Sequence, residues 1–383
     1  MLKIVTIIGA RPQIIKAAAI SRTIKENYKD KIQEIIIHTG QHYDHKMSEI
    51  FFNELGIPKA DYNLNVGSCS HGAQTALMLS GLEELFTNIK PNCVLLYGDT
   101  NSTIAGALAA SKMYIPIAHV EAGLRSFNKL MPEEINRIVC DHVSTAMFCP
   151  TKNAIENLNK EGFNHKNSSP YSIDNPAIHH CGDIMYDNTI FFSEISERKR
   201  GLLDNLKINN QKYILTTIHR DTNTDNNERL YSIFKAILDI ATTNNIKIVI
   251  PLHPRTNKII NSEDNQNIKN LINSTNLIQI IEPVSFLEMI LLEKNSYMII
   301  TDSGGVQKEA YFLKKYCIIL RPQTEWVEIV QNKAAIIADA NYQKIIDGFD
   351  LFNTKKQTSD FDEIFGNGKA ANYICEQLLT IFK

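Results

Sequence analysis

The chain has 383 residues, about two domains of ordinary size, and 44% of them are hydrophobic, enough for a large core. Its 40 basic and 42 acidic residues leave a net charge of −2, which excludes a general electrostatic pull toward nucleic acid or an anionic membrane. No apolar run approaches the ~18 residues of a membrane span, and the scattered Cys69, Cys93, Cys140, Cys149, Cys181, Cys317 and Cys375 form no CxxC pair, so reduced thiols of a cytoplasmic protein are expected.

The apolar start reads as a first strand over 4–8, since Gly9-Ala10-Arg11-Pro12 breaks it too early for a signal peptide. Helical spacing follows over 13–26, then a strand over 34–38 and a helix over about 47–55. Residues 71–88 place Leu77, Leu79, Leu82, Leu85 and Phe86 on one broad apolar face. A strand at 93–97, a helix at 102–112, a strand at 115–120, a helix at 133–145 and a short strand at 146–149 complete the first half. Residues 164–180 have a loop composition, and the interdomain crossing is expected near Cys181-Gly182-Asp183. The second half predicts strands at 213–218, 247–252, 278–281, 297–301 and 317–320. Helices are expected at 226–243, 285–293 and 305–314. The terminal helix, about 368–382, is amphipathic and needs a surface to dock on. This alternation predicts an α/β chain with two doubly wound domains, 1–180 (joined by 368–383) and 181–367.

Ligands of open parallel sheets bind beyond the carboxyl ends of the strands. Asp99 follows one expected strand end and Glu121 another, with Glu133 and Arg125 in plausible reach. Three acids and a cation suit proton transfer on an anionic substrate; the alternative is a structural ion-pair network around Arg125 and Arg137. Gly9 to Gln13 lie between a strand and a helix, where an anion is favoured and Arg11 adds charge; an ordinary turn is the other reading. The segment is no GxGxxG fingerprint, so no dinucleotide cofactor is expected. In Thr301-Asp302-Ser303-Gly304-Gly305-Val306-Gln307 the N–H groups of Ser303, Gly304 and Gly305 suit a phosphate cradle. Glu309 can accept from ribose hydroxyls there. Capping of the helix by Asp302 or Ser303 is the alternative. His219 and Arg220 end a strand, where a histidine beside a phosphate site can shuttle protons or donate to phosphate, a structural histidine being the alternative; His38 and His42 follow the second strand and can line a cleft, and Arg255 can neutralise phosphate or simply face solvent. No His, Asp or Cys spacing suits a catalytic metal.

The motifs IGARPQIIKAA (8–18), HTGQHYD (38–44), YGDTNST (97–103), HVEAGLR (119–125), PEEINR (132–137), IHR (218–220), PLHP (251–254) and TDSGGVQKEA (301–310) run in this order over most of the chain. Together they resemble the non-hydrolysing UDP-N-acetylglucosamine 2-epimerases. The resemblance implies two Rossmann-like domains in a GT-B-like arrangement, with the nucleotide between them and the last helix crossing back to the first domain. It implies elimination of UDP to a 2-acetamidoglucal and re-addition, with no cofactor, for surface polysaccharide synthesis in a homodimeric enzyme. Asp99, Glu121 and Glu133 match the catalytic acids and His219 the cleft histidine. Arg11, Lys16, Ser303, Gly304, Gly305 and Glu309 match nucleotide or phosphate positions, and Gln41 and His42 fall where an activating sugar nucleotide binds.

Departures are Gln13 for a usual Glu, Thr222 and Lys308 for usual acids, and Gln323-Thr324-Glu325-Trp326 after the last expected strand. Gln13, Ser126-Phe127-Asn128 and this segment look like the branch acting on UDP-2,3-diacetamido-2,3-dideoxyglucuronate. A hydrolysing 2-epimerase, a GT-B glycosyltransferase and a non-catalytic sugar-nucleotide sensor are the other readings; the HVEAGLR match argues against the first, and acids grouped for C2 chemistry argue against the other two.

Overall fold

The computed structural model describes residues 1–40, 59–252, 254–262, 265–355 and 361–383. The helix expected near 47–55, and also Gln41, His42 and His253, lie outside the described residues. The chain divides into two compact units, 1–188 with 363–383, and 189–362.

The first unit is built on seven strands: β1 (Leu2–Ile8), β2 (Ile32–His38), β3 (Tyr62–Asn63), β4 (Cys93–Tyr97), β5 (Ile117–Val120), β6 (Ala146–Cys149) and β7 (Ala177–His180). Their order is β3-β2-β1-β4-β5-β6-β7, and every pairing is parallel. A parallel sheet is covered on both faces, so its strands read as unbroken apolar runs. Ile4, Val5, Ile7, Val94, Leu95 and Leu96 are accordingly buried without remainder. The helices include α1 (Arg11–Thr23), α2 (His71–Ile89), α3 (Asn101–Lys112), α4 (Pro132–His142) and α5 (Lys152–Lys160). Residue 105 and residues 107, 109 and 110 of α3 are buried alanines, small enough for the helix to lie close on the sheet.

β7 corrects the expectation of a loop through 180. Its four residues pair with Ala146–Cys149 at the sheet edge. Helix α6 (Ile184–Ile195) follows, and the division between units falls inside it.

The second unit holds β8 (Tyr213–Thr217), β9 (Lys247–Pro251), β10 (Ile278–Ile281), β11 (Met298–Thr301), β12 (Cys317–Ile319) and β13 (Ala335–Ile337) in the order β10-β9-β8-β11-β12-β13. Its longer helices are α7 (Asn227–Asn244), α8 (Phe286–Asn295), α9 (Gly304–Phe312) and α10 (Tyr342–Thr354). Ile233, Phe234 and Ile237 of α7 meet Phe349 and Phe352 of α10 in one core with the strands. The strand order reverses between β1 and β4 and again between β8 and β11. Those are the switch points at which α/β sheets open a crevice.

The terminal helix α11 (Ala370–Phe382) belongs to the first unit. Ala370 N and Ala371 N donate to Asp187 of α6, Tyr28 Oη reaches Asn372, and Tyr373 Oη meets His179 Nδ1 at 3.1 Å.

Candidate active site

In the first unit the switch point gathers the ends of β1 and β4 and the start of α4. A cavity of about 300 Å³ there is lined by Arg11, His71, Asp99, Asn101, Glu133 and Asn136, among others. Asp99 follows β4 through Gly98, whose φ of +61° lies in the region that favours glycine. A Cβ at Gly98 would also stand 3.0 Å from Lys16 Nζ and 3.2 Å from Glu121 Oε2. The missing side chain therefore lets Lys16 and Glu121 reach the Asp99 turn, and the two are ion-paired. Glu121 itself has φ +72°, a strained position for a side-chain-bearing residue at the end of β5.

Arg137 Nη1 donates to Asp99 Oδ2 at 2.5 Å, and Asn136 Nδ2 donates to the Asp99 carbonyl at 2.8 Å. Both project from α4 and fix Asp99 in place. Removal from water raises the Asp99 carboxyl above the usual range, and Glu121 and Glu133 add to this. Lys16 and Arg137 oppose the rise without cancelling it. A carboxyl raised above its usual range among cations and other acids suits proton exchange with a substrate.

Glu133 is exposed in the first turn of α4, while its neighbour Glu134 is buried and accepts from Ser126 N, Phe127 N and Arg137. The two acids of PEEINR thus part: one faces the cavity, the other holds the preceding turn. His71, Asn101 and Asn136 line the same cavity and escaped the sequence reading. His71 and Asn101 lie at the starts of α2 and α3, 30 residues apart, and only the fold joins them.

Arg125 is placed elsewhere than expected. Its side chain is 1% exposed and pairs with Asp141 at 2.8 Å and with Glu161 at 2.7 Å. The cations beside the acids are Lys16 and Arg137, and Arg125 is a structural tie. The same Asp141 accepts from His119 Nδ1 at 2.7 Å and Gly123 N at 3.1 Å, while His119 Nε2 donates to the Gly98 carbonyl at 2.8 Å. Burial opposes charge on His119, but Cys140 and Asp141 outweigh it and hold the imidazole well above its usual range. A buried imidazolium with both N–H groups used is a brace for the Gly98-Asp99 turn.

The anion site expected over Gly9 to Gln13 is also corrected. Gly9 N and Ala10 N both donate to Gln13 Oε1, and Gln13 Nε2 donates to Tyr97 O and Thr103 Oγ1. The turn is closed internally, and a Cβ at Gly9 would collide with Ser102 and Thr39. Arg11, next in the chain, lines the cavity. His38 is buried, accepts from Gly40 N at 2.9 Å, and is pushed down to about 4 by burial, so it is a neutral structural histidine.

In the second unit Thr217 pairs in register with Thr301, which brings the His219 and Ser303 turns side by side. Asp302, fully buried, accepts from His219 N, Arg220 N and Asn223 Nδ2, and faces His219 Nδ1 at 3.2 Å. It latches the two turns rather than capping α9. Ser303 is the cap, accepting from Val306 N, and its own N–H donates to Thr301 Oγ1. The expected cradle therefore loses the Ser303 N–H and keeps the first turn of α9 at Gly304 and Gly305. Beyond it, Trp326 Nε1 donates to Gly304 O, and Lys308 Nζ lies 4.1 Å above the Trp326 ring. The Gln323–Trp326 departure thus packs on α9 beside the Lys308 departure. Arg255 is exposed and bound to Asp221 and Asp225, which agrees with its solvent-facing reading.

Among the described residues no group of His, Cys, Asp and Glu is arranged to hold a metal ion, and no helix is long and apolar enough to cross a membrane. All seven cysteines are free thiols.

Residues 25–379 match the family model described as UDP-N-acetylglucosamine 2-epimerase. A UDP-N-acetylglucosamine 2-epimerase homolog of Methanococcus maripaludis is 49% identical over 381 residues, 99% of this chain and 100% of that protein. The UDP-2,3-diacetamido-2,3-dideoxy-D-glucuronate 2-epimerase of Pseudomonas aeruginosa is 46% identical over 380 residues, 99% of this chain and 100% of that protein. The crystal structure of the Methanocaldococcus jannaschii UDP-GlcNAc 2-epimerase with UDP-GlcNAc and UDP matches at a TM-score of 0.80 and 41% identity, over 99% of this chain and 100% of that one. Its two Rossmann-like units are GT-B-like in class, and the chain belongs to the UDP-N-acetylglucosamine 2-epimerase family.

Proposed function

We propose that the chain is a non-hydrolysing epimerase that inverts C2 of UDP-N-acetylglucosamine to give UDP-N-acetylmannosamine. The observation that carries this reading is the Asp99 cluster: a carboxyl raised above its usual range, with Glu121 and Glu133 as neighbours and Lys16 and Arg137 as cations. Inverting C2 needs a proton removed on one face and returned on the other, and acids grouped on one strand edge suit that work.

In the forward step the C2–H electrons form a C1–C2 double bond as the C1–O bond breaks. The proton passes to a carboxylate, and the bond electrons leave with the phosphate oxygen of UDP. Re-addition of UDP at C1 with protonation on the other face of C2 completes the inversion. Asp99, Glu121 and Glu133 are assigned the proton transfers. Arg11 and Lys16 are assigned to the phosphates with His219, and Ser303 to positioning the α9 turn. Gly304 and Gly305 would present backbone N–H groups to phosphate, and Glu309 would accept from the ribose. Arg125 is left out of the substrate set because its side chain is enclosed between Asp141 and Glu161, whereas Lys16 keeps an exposed part. The reading includes a homodimeric, cytoplasmic enzyme, which sedimentation equilibrium and cell fractionation test.

The deciding experiment is turnover of UDP-GlcNAc in D₂O, followed by mass spectrometry and proton NMR. Both epimers should carry deuterium at C2 with UDP attached. Epimerisation without C2 label would defeat the elimination route. Label and turnover only with the 2,3-diacetamido uronate would move the substrate, and release of free sugar would move the reaction to hydrolysis.

A further inference from the structure

Glu293, in α8 of the second unit, is fully buried, and neither carboxyl oxygen meets an N–H or O–H donor among the described residues. The polar group it faces is the carboxyl of Glu309 on α9, which is only partly buried. Ionised carboxylates only accept hydrogen bonds. With Glu293 fully enclosed against Glu309, the two cannot both be charged, so one proton lies between them. The fully enclosed partner keeps it: burial raises Glu293 well above the usual range, with the Glu309 charge adding to the rise. Glu309 is raised by burial as well, but Lys308 beside it favours its charge. Among the described residues, the other titratable groups interacting with Glu293 are the buried Tyr213 and Cys317, a phenol and a thiol that carry no positive charge in either protonation state. Tyr213 Oη is itself engaged with Leu292 O at 2.6 Å.

We propose that Glu293 is a positioning residue whose carboxyl O–H donates to Glu309 and sets the Glu309 carboxylate for the ribose hydroxyls of UDP, an assignment that rests on the nucleotide reading above. A buried acid with one partner is a poor source of stability, since an apolar side chain of similar volume serves the packing as well or better. Its effect should therefore appear in nucleotide binding and not in folding.

Calorimetric titration of the full chain with UDP and with 2′-deoxy-UDP and 3′-deoxy-UDP tests this. Glu293→Met should hold or raise the thermal midpoint, weaken UDP roughly tenfold, and narrow the preference for UDP over the deoxy analogues. Glu293→Gln keeps a donor in its amide and should restore the affinity. UDP affinity and deoxy discrimination unchanged in Glu293→Met would overturn the proposal while leaving the nucleotide site in place. Failure of the wild-type chain to bind UDP would overturn both. If Glu293→Met does not fold, the pH profile decides. Wild-type affinity should decline relative to Glu293→Gln as rising pH removes the Glu293 proton; parallel profiles overturn the assignment.

Discussion

Glu133 and Glu134 carry the same side chain one position apart, and burial separates their roles. Glu134 satisfies two backbone N–H groups and Arg137, while Glu133 opens to the cavity beside Asp99. Glu133→Gln and Asp99→Asn should each lower turnover about 10²- to 10⁴-fold with the thermal midpoint nearly unchanged. Glu134→Ala should instead destabilise by about 1–3 kcal/mol, because it removes the buried carboxylate that accepts from Ser126 N, Phe127 N and Arg137. Steady-state kinetics and thermal melts on the three variants separate the roles; near-normal turnover in either of the first two removes that residue as a proton carrier. The α9 glycines divide in the same way. A Cβ at Gly304 would meet Glu325 Oε1 at 2.5 Å, whereas at Gly305 the nearest atom is Ser303 Oγ at 3.9 Å. Gly304→Val thus disturbs protein packing as well as any ligand. Gly305→Val is the cleaner probe and should weaken UDP by an order of magnitude or more if phosphate approaches that turn. Equal UDP affinity in calorimetry would place the phosphates elsewhere.

At the scale of elements, Asp187 on α6 shows how the terminal helix is held. Its two carboxyl oxygens accept from Ala370 N and Ala371 N, the open first turn of α11. Burial still dominates and raises this carboxyl to about 6. A folded-state value above the unfolded one means that the native state binds the extra proton. The associated stability is present at pH 4 and lost as pH rises through 6. Asp187→Asn does not titrate, so between pH 4 and pH 7 the wild type should lose about 2 kcal/mol relative to it. Denaturant titrations at the two pH values check this, and parallel curves would show that Asp187 stays charged in the native protein. The elements also show what could be read in advance. Strands such as 93–97 and 298–301 were legible because burial on both faces writes an unbroken apolar run. β7 was not, because Ala177–His180 sits at a sheet edge and two of its four residues are histidines. That Asp99, Glu121 and Glu133 come close together was legible from their place after strands and at a helix start. The occupation of Arg125 was not, because Asp141 and Glu161 come from α4 and the end of α5 and meet it only in the folded chain. Nor could a sequence show that Gln13 would consume the Gly9 and Ala10 N–H groups.

On the scale of the whole molecule, the chain leaves its first unit within α6 and returns to it at Glu363. The return is made by α11, whose Ala370, Ala371, Ile374, Cys375 and Leu378 are buried. Removing 370–383 would uncover that face and its docking site beside Tyr28 and His179. Ile374 and Leu378 alone, fully buried, stand for roughly 3–6 kcal/mol of apolar burial, a large share of the ~5–15 kcal/mol that holds a domain folded. The loss should fall on one unit, because the second keeps its own sheet and its own core of α7 and α10. Amide exchange on the truncated chain should therefore accelerate across β1, β4 and α1 while β8, β9 and β11 keep their protection. Equal acceleration in both units would show that the two unfold as one cooperative body, and unchanged exchange in the first would show that α11 is dispensable to it.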